Sequence, residues 1–247
     1  MTILDHVRLP AAAGWNGTPD WLARATVILV FTLMASVNLG GAFHAATGWS
    51  EQSLDYKLLY IASRISNGLF LALVAVTAVT RLRPINKAAG LQPRVSAVAG
   101  SFLVSTLVLL PPAPTPPIWL AISSALVLVG ASLSFVVLRW LGRSFSIMAE
   151  ARRLVTKGPY AIVRHPLYIC EEIAILGILI AVISPLAVLI VLVHALLQLR
   201  RMLNEEKVLR ATFPEYEDYA ARTPRLVPRV RLWKGPHGRR VSANKRV

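Results

Sequence analysis

Six apolar segments, separated by loops that alternate between strongly cationic and nearly uncharged, constrain this chain more than any other feature. They run roughly from Trp21 to Phe43, Leu58 to Thr80, Val95 to Leu110, Ile118 to Trp140, Leu167 to Ser184 and Pro185 to Leu199. Each approaches the ~20 residues that an α-helix rising ~1.5 Å per residue needs to cross ~30 Å of hydrocarbon, with the third and fifth short. The expected fold class is therefore all-α: a polytopic membrane protein of about six transmembrane helices, followed by a cytoplasmic C-terminal helical segment.

The loops give the expected orientation. Arg81, Arg83, Lys87 and Arg94 fall in 81–94, and Arg139, Arg143, Arg152, Arg153, Lys157 and Arg164 fall in 139–165. The stretch after Leu199 is richer still in cations. The loops between them differ: 44–57 sets Lys57 against Glu51 and Asp55, while PPAPTPP at 111–117 and the Ser184-Pro185 turn carry no charge. Cations on every second loop are the positive-inside pattern, and an even number of spans puts both termini in the cytoplasm.

Composition agrees. Of 247 residues, 55% are hydrophobic and 16% charged, against about 25% charged in a soluble domain. The net charge of +15 sits between and after apolar blocks, which favours anionic lipid headgroups and topology control. No basic-aromatic interleaving of the kind that stacks bases is present, so nucleic acid is not an expected partner. A single cysteine, Cys170, excludes an intrachain disulfide and a thiolate metal site. The opening MTILDHVRLPAAAGWNGTPDW does not read as a signal peptide, so the first apolar block is expected to stay as an anchor. Three regions follow: four N-terminal helices over 1–138, a catalytic region over 139–229, and a basic tail over 230–247 expected to be disordered and to rest on anionic lipid.

Chemistry-bearing residues gather in two places. ARRLVTKGPYAIVRHPLYICEE, ahead of the fifth segment, packs Arg164, His165, Tyr168, Glu171 and Glu172 at the mouth of a membrane helix. Pro166 suits the first turn of that helix, where its missing N–H has no partner to lose. Helical spacing then puts His165 beside Tyr168 and Tyr168 beside Glu172. A carboxylate inside a membrane end costs several kcal/mol unless paired or hydrated, which makes function the default reading of Glu171 and Glu172. A helix start with two acids at the positive end of its dipole is the plainer alternative.

The second cluster, RRMLNEEKVLRATFPEYEDYAARTPRLVPR, follows the sixth segment and reads as continued helix broken at Pro214. Arg201 and Glu205 share a face there, and the helical hairpin returns them to the membrane face that carries His165. Scattered histidines without metal-ligand spacing speak against metal hydrolysis, and no metal is expected. GxSxG, P-loop and GxGxxG patterns are all missing. Arg, Glu, His and Tyr at a lipid boundary suit a zwitterionic cofactor together with an anionic or polar amphiphile.

LVTKGPYAIVRHPLY, then a hairpin, then RRMLNEEKVL and FPEYEDYAARTPRLVP, resembles the isoprenylcysteine carboxyl methyltransferase family of membrane enzymes over residues 139–229. That resemblance implies S-adenosylmethionine as cofactor. It also implies cofactor contacts at Arg152, Arg153, Leu154, Val155, Tyr160, His165, Pro166, Leu167, Tyr168 and Glu205, with Arg201 on the substrate side. Cys170 stands where the family usually has glycine, and Phe213-Pro214 where it has Phe-Gly. Cys170 is expected to narrow the pocket or to fill a gap, and Pro214 to shorten or bend its segment. The implied activity is methyl transfer to a lipid-borne or prenylated acceptor, with Arg201 and Glu205 as the catalytic pair. A carboxylate acceptor is already ionised at neutral pH and needs Arg201 to hold it, whereas an amine needs a base such as His165 or Glu172. Two other readings stay open: an NADPH-dependent membrane reductase of a sterol- or enone-like lipid, with Arg152, Arg153 and Lys157 for the extra phosphate, and a non-enzymatic scaffold bound to lipid through its tail.

Overall fold

Prolines and serines set where the helices begin. The computed structural model describes residues 20–48 and 53–228. It contains α1 (Asp20–Thr47), α2 (Leu54–Thr80), α3 (Leu91–Phe102), α4 (Pro117–Leu141), α5 (Pro166–Ala181), α6 (Pro185–Thr212) and α7 (Tyr216–Arg222). Proline occupies the first turn of α4, α5 and α6, where no backbone donor is lost. The hydroxyls of Ser53 and Ser184 accept hydrogen bonds from the N–H groups of Tyr56 and Ala187, closing the starts of α2 and α6. The expected disorder of the 230–247 tail and the reading of the first residues lie outside the described residues.

Among the described residues, four stretches are long and apolar enough to cross a membrane: Arg24–Thr47, Leu54–Thr80, Pro117–Ser144 and Pro185–Thr212. The third and fifth expected segments fall short of that length. Residues 95–110 do not form one α-helix, because α3 ends at Phe102 and Leu103–Leu109 continue as a 3-10 helix. α5 has 16 residues, or about 24 Å of helix. α6 is longer than its apolar part: it carries Arg201 and Glu205 as unbroken helix to Thr212, and Pro214 lies in the turn before α7.

Small residues let the helices approach. A Cβ added at Gly130 of α4 would lie 2.5 Å from the backbone N of Ala174, and one at Gly177 of α5 would lie 2.6 Å from the carbonyl of Ser123. Ser123 Oγ donates to the Gly177 carbonyl at 2.7 Å across the same contact. Apolar attraction between helices vanishes in lipid, so close backbone approach and a shared polar contact hold such a pair. α1 packs on α2, α2 on α4, α4 on α5, and α3 on α6. Leu29, Leu33, Phe43, Ile118, Leu189 and Leu196 point outward and are exposed, as a lipid-facing surface requires.

The cationic loops meet at one end of the bundle. Asn86–Lys87 (β1) and Glu150–Ala151 (β2) pair antiparallel, joining the α2–α3 loop to the α4–α5 loop. Leu82 N–H donates to the Arg143 carbonyl at 2.9 Å beside them. The segment after α7 comes to the same place: Arg164 and His165 donate their N–H groups to the carbonyls of Pro224 and Arg225 at 2.9 and 3.2 Å. The uncharged 111–117 loop reaches the other end of α5, where Ala113 N–H donates to the Ala181 carbonyl. Basic and uncharged loops are thus segregated to opposite ends.

Replacing Gly130 by leucine forces α4 away from α5. The expected cost is about 1–3 kcal/mol or more, read as a lower melting temperature in detergent. Gly40→Ala serves as the control, because a Cβ there meets nothing within 4 Å. Equal melting temperatures for the two variants would remove the Gly130 contact from the account.

Candidate active site at the basic end of the bundle

Local backbone geometry delivers the first cluster. Gly158 adopts φ +63°, a conformation that glycine accepts without steric cost. A Cβ there would also lie 2.6 Å from the Trp140 ring, so VTKGPY can fold over the end of α4 only with glycine at this position. The following 3-10 turn, Gly158–Ala161, carries Tyr160 into the interior. Tyr219 Oη donates to the Tyr160 carbonyl at 2.7 Å, tying α7 to that turn. Burial, with the Glu205 carboxylate adding to it, pushes the Tyr160 phenol well above its ordinary pKa, so it remains an O–H donor at physiological pH.

One cavity is walled by Arg152, Arg153, Leu154, Val155, Tyr160, His165, Leu167, Tyr168, Arg201 and Glu205. These are the residues singled out from the sequence, with one difference: Pro166 is buried in the first turn of α5 and lies outside the wall. At the centre, Tyr168 Oη donates to Glu205 Oε1 at 2.6 Å. Arg201 Nε lies 3.4 Å from the same oxygen, and the Arg201 guanidinium covers the Tyr168 ring at 5.2 Å. The His165 ring sits 5.5 Å from the Tyr168 ring. α5 and α6 therefore meet through polar groups at one hollow. Both Arg201 and His165 are 6% exposed, so each must find its partners inside the protein.

The neighbouring acid has a separate job. Glu206 is buried and takes a two-pronged contact from Arg225, Nε to Oε1 at 2.9 Å and Nη2 to Oε2 at 2.8 Å. Arg164 Nη1 lies 3.2 Å from Oε1 and His165 Nε2 lies 3.1 Å from it. Such a forked guanidinium pair is strong and directional. It fastens the segment after α7 over the site and sets the His165 ring. Sequence reasoning gave Glu206 no role, and it missed Arg225. It also missed Glu150, which accepts from Arg152 Nη2 at 2.5 Å and from Ser146 Oγ at 2.8 Å, and so anchors the buried Arg152. Tyr216 and Tyr219 of α7 complete the wall.

Glu171, Glu172 and Cys170 stand apart from the cavity wall. Glu171 accepts from Gln198 Nε2 at 3.2 Å, and Glu172 Oε1 lies 3.2 Å from His194 Nε2. Cys170 is buried in an apolar cluster with Leu167, Tyr160 and Val137, so it fills packing space rather than narrowing the hollow. Pro214 falls between α6 and α7, beyond the helical reach of Glu205.

A family model described as phospholipid methyltransferase matches residues 118–216. Over 110 residues the chain is 39% identical to the cobalt-zinc-cadmium resistance protein CzcN of Cupriavidus metallidurans, covering 44% of this chain and 50% of that protein. Over 118 residues it is 36% identical to the nickel-cobalt-cadmium resistance protein NccN of Alcaligenes xylosoxydans xylosoxydans, covering 46% of this chain and 54% of that protein. The chain thus spans about half the length of the curated relatives it matches. The match to the phospholipid methyltransferase model runs from α4 to the start of α7, the stretch that supplies most of the cavity wall.

Proposed function

We propose that this chain transfers a methyl group from S-adenosylmethionine to a lipid-borne or prenylated acceptor at the cytoplasmic face of a membrane. The supporting observation is the convergence of Tyr168, Arg201 and Glu205 on a single hollow that also holds buried, unsatisfied donors. Arg152 is 4% exposed, and its Nε and Nη1 have no hydrogen-bond partner although Nη2 is held by Glu150. A buried guanidinium with idle donors fits a carboxylate arriving from outside the chain.

S-adenosylmethionine, when bound, supplies a methyl group already activated on a sulfonium. The residues around it have to bind, orient and exclude water. Arg152 and Arg153 suit its carboxylate and Glu205 suits its ammonium, while Leu154, Val155 and Tyr160 offer an apolar face to the adenine. Arg201, stacked on Tyr168, is left for the acceptor, and a carboxylate is the acceptor class it fits best. For an amine acceptor, His165 is the base within the wall, whereas Glu172 lies away against His194. Among the described residues, no group of three or more His, Cys, Asp or Glu is arranged to hold a metal ion.

The proposal keeps six crossings with both termini in the cytoplasm. The 12 residues of α3 and the 7 residues of 3-10 helix after it together rise about 32 Å at ~1.5 and ~2.0 Å per residue, and a tilted α5 makes the fifth crossing. The end that gathers the basic loops is then the cytoplasmic one.

S-adenosylhomocysteine is expected to raise the melting temperature of the detergent-solubilised protein, and NADPH is expected to leave it unchanged. The reverse pattern would move the chain to the reductase reading. Arg201→Ala should lower methyl incorporation from labelled S-adenosylmethionine into membrane lipid by about a hundredfold or more, while S-adenosylhomocysteine still binds within a few-fold. Normal turnover in that variant would take Arg201 out of the reaction.

A further inference from the structure

Behind Arg201, on the side away from the cavity, lies a polar chain with no part in the roles given so far. Gln198 is one turn along α6 from Arg201 and is 3% exposed. Its Oε1 accepts a long hydrogen bond from Arg201 Nη1 at 3.5 Å, and its Nε2 donates to Glu171 Oε2 of α5 at 3.2 Å. Arg201 Nη1 also reaches Ser101 Oγ of α3 at 3.2 Å. Gln198, Glu171 and Ser101 all stand outside the cavity wall.

The chemistry of these groups makes the chain directional. An amide has one accepting end and one donating end, a carboxylate only accepts, and a guanidinium only donates. With Glu171 on one side and Arg201 on the other, the Gln198 amide has a single favourable orientation. Turned over, it would set NH₂ against the Arg201 donors and its carbonyl against the Glu171 carboxylate, losing both contacts. In low-dielectric surroundings an unmade contact of this kind is costly.

We infer that Gln198 is a positioning residue for Arg201, and that Glu171 acts through it by fixing which end of the amide faces the guanidinium. The inference rests on the methyl-transfer reading and deepens it. In that reading Glu205 is drawn to the cofactor ammonium, which weakens its hold on Arg201 Nε. The Gln198 carbonyl and Ser101 hydroxyl then keep the guanidinium over Tyr168, ready for an acceptor.

The test compares Gln198→Leu, Glu171→Leu and Glu171→Gln with the unaltered protein. Two quantities are measured: the S-adenosylhomocysteine dissociation constant by calorimetry, and the half-saturating amount of acceptor. For the latter, the probe is a total lipid extract of the host membranes, diluted into detergent micelles and methylated with labelled S-adenosylmethionine. Gln198→Leu and Glu171→Leu should each raise acceptor half-saturation by about tenfold, as expected for loss of a hydrogen bond to a charged group, with the dissociation constant within about twofold. Glu171→Gln should stay within about threefold of the unaltered protein, because its own carbonyl still accepts from Gln198. Combining Glu171→Leu with Gln198→Leu should add little.

Unchanged half-saturation in Gln198→Leu overturns the inference, and so does a Glu171→Gln variant as impaired as Glu171→Leu. An equal loss of cofactor affinity in the leucine variants marks a structural role and also overturns it. Should Gln198→Leu fail to fold, the contrast between the two Glu171 variants decides. Failure of the unaltered protein to bind S-adenosylhomocysteine, or to methylate anything in the extract while binding it, sinks the methyl-transfer reading itself.

Discussion

Polar groups at the end of a membrane helix cannot be left without partners, and in this chain the available partners are on another helix. The contact of Tyr168 and Arg201 with Glu205 is where that requirement is met. It draws the start of α5 against the later turns of α6, although most of the packing of α5 is with α4 and that of α6 with α3. Remove the polar groups and the hairpin has little reason to close at this end. With them it closes around a hollow, and the loop carrying Arg152 to Tyr160 is placed as its roof. The packing constraint and the chemical site thus share the same few side chains.

Much of this was legible in the amino-acid sequence because the relevant spacings are helical. Arg201 and Glu205 are neighbours on any helix, and a short turn at Ser184-Pro185 returns α6 toward the end at which α5 starts. The loop charges likewise sorted themselves into the two ends that the structure shows. Other features were not legible, for physical reasons. Apolar content could not reveal that α3 stops at Phe102, because the 3-10 helix that follows is equally apolar. Glu205 could be singled out by its spacing from Arg201, but the grip on its neighbour Glu206 comes from residues far along the chain. Arg225 lies beyond the break at Pro214, so no periodicity connects it to Glu206. The short β1–β2 ladder had no alternating pattern to announce it.

The departures from the expected motif are also explained by packing. Cys170 occupies a place among apolar side chains, where a small, weakly polar sulfur group sits comfortably. Gly130 on the facing helix supplies the close approach instead: a Cβ there would come within 2.8 Å of the Cys170 carbonyl. The small residue needed between α4 and α5 has in effect been provided from the other side of the contact.

The two consecutive carboxylates point about 100° apart around α6, and this has a mechanical consequence. Glu206 is gripped by two guanidinium groups and an imidazole from two separate segments, the loop before α5 and the stretch after α7, which clamps the angular setting of the helix. Glu205 is therefore aimed before any ligand arrives, and α6 cannot swivel to meet one. The hollow is thus bounded on this side by a wall of fixed setting, with the loop carrying Arg152 to Tyr160 lining it from the other.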